Sequence, residues 1–115
     1  MTEATYLREH NCFSLTCKGH AGYAEPGKDI VCAGISALCS ALEVALDNLQ
    51  DAGCIKSHFC SWSNGFFRAD AVGADGNCAL ETAFDLVFNG LCRIEEEYGK
   101  NLKCRRNTCA KEMNA

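Results

Sequence analysis

The sequence predicts an α+β two-layer sandwich in the order β-β-α-β-β-α, with a four-stranded antiparallel sheet and two helices on one face. Three observations predict it. Period-two alternation marks the early segments, an Asn-Gly pair separates two aromatic-bearing runs, and two long stretches repeat apolar residues at spacings of three and four. At 115 residues the chain can enclose one core and is short for two. The expected organisation is one domain over residues 1–100 followed by a flexible tail over residues 101–115.

The first hairpin joins Ala4 to Arg8 and Cys12 to Lys18 through Glu9-His10-Asn11. Phe13, Leu15 and Cys17 alternate with Ser14, Thr16 and Lys18, as in a sheet with one wet face. Gly19 to Lys28 holds three glycines and Pro26, a composition for a mobile surface loop. Asp29 reads as a helix N-cap, its carboxylate placed to accept from the backbone N–H of Val31 or Cys32. Val31, Ile35, Leu38, Leu42, Leu46 and Leu49 then form one apolar stripe, on a helix that stops near Ala52-Gly53. Cys54 to Trp62 and Phe66 to Val72 flank Ser63-Asn64-Gly65 as the second hairpin. After a turn at Gly73 to Asn77, a second helix from Cys78 to Tyr98 presents Leu80, Ala83, Phe84, Val87, Leu91, Ile94 and Tyr98 on one face. Lys103, Arg105, Arg106 and Lys111 stand among few apolar residues, hence the expected tail.

A composition 48% hydrophobic and 23% charged belongs to a folded chain, and a net charge of −4 offers nucleic acid no general attraction. There is no run of the ~20 consecutive apolar residues that a membrane span needs. MTEATYLREHN lacks a basic, then apolar, leader. The expectation is a cytoplasmic protein with neither nucleic acid nor membrane as partner. In a reducing compartment the ten cysteines read as small hydrophobes, Cys17 and Cys39 being examples, and not as a disulfide scaffold.

One cysteine has a different setting. Cys32 is the third residue after the Asp29 cap, where the positive end of the helix dipole favours a thiolate. His20, at the end of the second strand, could exchange a proton with it if the fold brings the two side chains within ~3 Å. Ala33 and Gly34 leave room beside the sulfur, and amides at the helix start could hold an oxyanion. Gly22, Pro26 and Gly27 give the intervening loop hinges and a turn. Ser36, one turn after Cys32, reads by itself as a hydroxyl bonded back to a carbonyl of the preceding turn. Spacing alone leaves two readings open: a catalytic pair, or a packed thiol and an unrelated histidine.

Gly19-His20-Ala21, a short loop, Asp29-Ile30-Val31-Cys32-Ala33 and Ser36-Ala37-Leu38 together resemble the signature of the ribosomal-processing cysteine proteases called Prp. The β-β-α-β-β-α order is similar as well, over roughly residues 4–98. The resemblance implies a cysteine endopeptidase without cofactor or metal that removes the N-terminal extension of a large-subunit ribosomal protein, in bacteria of the Firmicutes type. It implies that His20 and Cys32 form the catalytic dyad, with Asp29, Ser36 and Gly19 in support, and that the enzyme is a homodimer. Substrates of that family carry bulky aromatic residues before the cut, which calls for an apolar groove lined by loop residues such as Tyr23.

Rival readings come from other classes. Cys12 with Cys17, and Cys104 with Cys109, have a spacing zinc sites can use, although Cys12 and Cys17 would face opposite sides of a regular strand. A helix-start thiolate could serve redox chemistry, but the Cys-x-x-Cys mark is missing there. A non-catalytic ribosome-associated module with its basic tail on RNA is the third.

Overall fold

Strand β1 (Thr2–Glu9) turns through His10-Asn11 into β2 (Cys12–Lys18), with Glu9 opposite Cys12. The loop then leads into α1 (Ile30–Asp51), and a second hairpin follows, β3 (Ile55–Ser63) and β4 (Phe66–Gly73). Helix α2 (Ala79–Glu97) and β5 (Leu102–Thr108) complete the fold. The computed structural model describes residues 1–108. The α+β class and the β-β-α-β-β-α order are those the sequence predicts.

The end of the chain corrects the expectation. The sheet has five strands in the order β3-β4-β2-β1-β5, and β5 runs parallel to β1, so the sheet is mixed and not four-stranded antiparallel. Residues 102–108 are therefore an edge strand and not a flexible tail; residues 109–115 of the expected tail lie outside the described residues. The physical reason is alternation too sparse to read. Leu102 is fully buried and Cys104 half-buried on the helix side, and Arg106 follows on the same face. Its guanidinium lies 4.8 Å from the centroid of the Tyr6 ring and 2.9 Å from Asp85, which satisfies an inward charge that looks solvated in sequence.

Both helices cover one face of the sheet. Ala4, Tyr6, Phe13, Leu15, Phe67, Ala69 and Ala71 meet Val31, Ile35, Leu42 and Leu46 of α1 and Leu80, Phe84, Val87, Phe88 and Leu91 of α2. Cys39 takes a core position in the α1 stripe, while Leu38 and Leu49 are half-buried at its margin. A Cβ on Gly90 would sit 3.0 Å from Leu38, so the helices approach closely there. By length and composition α1 could cross a bilayer, yet its apolar stripe is spent on this core.

Candidate active site

Several distant segments meet at one end of the sheet: the end of β2, the start of α1, the β3–β4 turn, the first residue of β1 and the α2–β5 junction. Asp29 organises the start of α1. Its backbone is extended (φ −85°, ψ 101°), and Oδ1 accepts from Cys32 N at 2.9 Å, the cap expected from sequence. Oδ2 accepts from Tyr23 N at 2.8 Å and Ala24 N at 3.2 Å, so the same carboxylate ties the loop to the helix.

The Cys32 amide, with help from those of Ala24 and Tyr23, holds the Asp29 carboxyl below its usual range. A folded-state value below the unfolded one contributes stability that is present above the unfolded value and is lost as pH falls through the folded one. The loop should thus stay tied to α1 at neutral pH and detach only below about pH 3.9, the ordinary aspartate value. Hydrogen exchange at the Tyr23 and Ala24 amides checks this: protection falling in acid is expected, and Asp29→Ala should lack that protection at every pH. Equal protection in the variant would refute the tie.

His20 is exposed, and its backbone is braced on both sides. Gly19 N donates to Gly65 O at 2.7 Å, and the Thr2 hydroxyl donates to Gly19 O at 3.0 Å. The imidazole lies against the β3–β4 turn, where a Cβ on Gly65 would come within 2.9 Å of Nε2. Ala21 N, the next amide, donates to Cys32 Sγ at 3.3 Å. Histidine and cysteine thus border common space.

That space is an inner cleft of about 260 Å³ with Ile35, Trp62, Phe66 and Phe67 among its walls, and an outer groove of about 670 Å³ walled by Gly22, Pro26, Gly27 and Asp29. His20, Cys32, Ser36 and Asn64 line both. Gly19 lines the inner one. Ser36 faces this space one turn below the sulfur.

Three expectations change. The Cys32 amide is given to Asp29 Oδ1 and the Ala33 amide to Asp29 O at 3.1 Å, so these two helix-start donors are already engaged. Gly34 does not make room beside the sulfur; a Cβ there would lie 3.3 Å from Ile94 of α2, which makes it a helix-packing position. Tyr23 is absent from the walls of both clefts, because its ring packs edge-on against Tyr98 at 5.3 Å between centroids. Sequence reasoning missed Asn64, Trp62, Thr2 and Asn101. The Asn-Gly pair signalled a turn, but only the strand order brings that turn to His20.

The family described as "Cysteine protease Prp" matches residues 1–103. The chain belongs to the Prp family. It is accordingly a cysteine peptidase. The curated "Ribosomal processing cysteine protease Prp" of Bacillus subtilis (strain 168) is 26% identical over 119 residues, spanning 93% of this chain and 98% of that one. A solved S. aureus Prp, in complex with a covalently linked product peptide, superposes with a TM-score of 0.71 at 23% identity, over 92% of this chain and 99% of that one. SMU.848 from Streptococcus mutans gives 0.67 at 26% identity, over 94% and 95% of the two chains.

Within this Prp-family chain three other thiols, Cys17, Cys60 and Cys104, are held protonated by their surroundings. All nine cysteines among the described residues are free. Contact with Cys39, at 3.7 Å between sulfurs, and then burial push the Cys17 thiol up. Burial, followed by the charges of Glu43, Asp47 and Asp70, pushes Cys60 up to about 11. Burial and the neighbouring Cys92 push Cys104 up. Such thiols stay protonated and unreactive at neutral pH. Cys12 is exposed and Cys17 buried, on opposite sides of β2. Among the described residues no group of three or more His, Cys, Asp or Glu could hold a metal ion.

Proposed function

We propose that the chain is an endopeptidase with Cys32 as nucleophile and His20 as proton acceptor and donor, which removes the N-terminal extension of a large-subunit ribosomal protein. The observation that carries the site is the shared pair of clefts, bordered by both side chains, with an amide donor already 3.3 Å from the sulfur. The naming of the Bacillus subtilis relative as a ribosomal processing protease supports the substrate class.

His20 takes the Cys32 proton and the sulfur attacks the scissile carbonyl carbon, pushing its π electrons onto oxygen. With the Cys32 and Ala33 amides engaged by Asp29, the Ala21 N–H and the Asn64 carboxamide serve as donors to that oxyanion. The C–N bond breaks as His20 returns its proton to the leaving amine. Water, deprotonated by His20, then attacks the thioester and releases the new carboxyl terminus and the free thiol. The inner cleft between Trp62, Phe66, Phe67 and Ile35 receives a bulky side chain before the cut. The segment bearing Gly22, Pro26 and Gly27 closes over the peptide from the other side. Ser36 and Gly19 support the pair from within the cleft. The family resemblance further supports a cytoplasmic homodimer.

The test is incubation of a peptide spanning the extension junction with the unmutated chain, Cys32→Ala and His20→Ala, read by mass. Cleavage at one bond by the unmutated chain and none by Cys32→Ala is expected. Cleavage that survives Cys32→Ala, or an intact peptide with the unmutated chain, overturns the proposal.

A further inference from the structure

The Ala21 N–H that reaches Cys32 Sγ belongs to a residue whose carbonyl is also held. Asn101 Nδ2 donates to Ala21 O at 3.0 Å, across a separation of 80 residues in sequence. Asn101 is itself fixed at the α2–β5 junction: its N–H donates to Tyr98 O at 2.8 Å and its carbonyl accepts from Thr2 N at 2.9 Å. A connected path therefore runs from β1 through Asn101 and Ala21 to the sulfur.

We propose that Asn101 is a positioning residue of the peptidase site, which fixes the Ala21 backbone so that its N–H points at Cys32 Sγ in the resting enzyme and at the carbonyl oxygen once sulfur has attacked. The inference rests on the reading of Cys32 as nucleophile. Ala21 is 1% exposed, so water cannot easily replace a lost partner at its carbonyl. Gly22 follows at φ 71°, in open space where nothing within 4 Å would meet a Cβ. The Tyr23 and Ala24 amides beyond it are tied by Asp29, while the Asn101 bond is the restraint on the Ala21 carbonyl itself. An N–H···S contact depends on direction, so a tilt of this backbone removes the donor without moving sulfur or histidine. The charged and titratable side chains that line the clefts with Cys32 are His20, Asp29, Cys17 and Cys39, and none contacts Asn101 through a hydrogen bond among the described residues.

Asn101→Asp keeps the size of the side chain and removes its donors; Asn101→Ala removes both. Both variants are compared with the unmutated chain for kcat and KM on the junction peptide, for urea midpoint, and for iodoacetamide labelling at Cys32, distinguished by fragmentation from Cys39 and Cys54 of the same tryptic peptide. A kcat about 10-fold lower with KM within about 2-fold is expected, since the donor acts on the oxyanion more than on bound substrate. Labelling of Cys32 at about pH 7 should slow several-fold, and the difference should close near pH 10, where free thiols in general are ionised. Unchanged kcat and labelling overturn the proposal, as does a loss of rate that only tracks the unfolded fraction given by the urea midpoint. The labelling arm reads the Asn101–Ala21–Cys32 geometry without cleavage. If Cys32→Ala still cuts, the assignment of the nucleophile falls, while the labelling result still decides the role of Asn101.

Discussion

Gly65→Ala is expected to reduce peptide cleavage by about 100-fold or more with the fold intact, because a misplacement of about 1 Å in a reacting group costs on that order. The added Cβ would stand 2.9 Å from His20 Nε2, closer than such contacts occur, and a tight 3.3 Å from both Cδ2 and Cε1. The imidazole has to leave its place. The turn also cannot yield freely, since Gly65 O accepts Gly19 N at 2.7 Å and so fixes the backbone just before the histidine. Gly53→Ala separates contact from backbone strain. Gly53 has φ +77°, near the +70° of Gly65, but nothing within 4 Å would meet its Cβ. Both substitutions carry a left-handed penalty of about 1–2 kcal/mol, and only Gly65→Ala should lose cleavage. Equal rates for the two, measured on the folded fraction, would show that the turn does not seat His20.

Phe84→Ala is expected to give the largest loss of stability, about 3–5 kcal/mol, as for buried aromatic truncations generally. Phe84 is fully buried, with its ring centroid 5.8 Å from that of Tyr6 and 5.5 Å from that of Phe13. It joins α2 to β1 and β2 at the point where the aromatic rings meet, and no neighbour can collapse into the gap without giving up its own packing. Tyr6 is held besides by a 2.9 Å hydrogen bond to Asp85, the next residue of α2. Against total stabilities of about 5–15 kcal/mol, such a loss would leave the variant marginal. The urea midpoint should fall with an unchanged slope. A midpoint shift worth less than about 1 kcal/mol would mean that the core is looser than its packing implies.

What the sequence disclosed follows from how local each signal is. The Asp29 cap, the Val31-to-Leu49 stripe and the Asn64-Gly65 turn are set by residues a few positions apart, and each stands where the pattern placed it. Only Gly65 of that turn has a positive φ, so the pair does not adopt the doubly left-handed turn that Asn-Gly usually marks. β5 escaped because its inward positions are Leu102, Cys104 and Arg106, and the third is neutralised by partners far away in sequence. The site divided in the same way. His20, Cys32 and Asp29 were legible as a motif, whereas the occupation of the Cys32 and Ala33 amides, the turning of Tyr23 to Tyr98 and the arrival of Asn64 in the clefts that Cys32 lines depend on three-dimensional neighbours that no spacing encodes.

The parallel pairing of β5 with β1 gives the enzyme an order of assembly. A chain made from its N-terminus carries His20 and Cys32 well before Asn101 and Leu102 exist to close on Thr2. Until then β1 keeps an open edge and the carbonyl of Ala21 lacks its partner. The thiol is present early in synthesis, but the framework that aims it is finished only when the last strand docks.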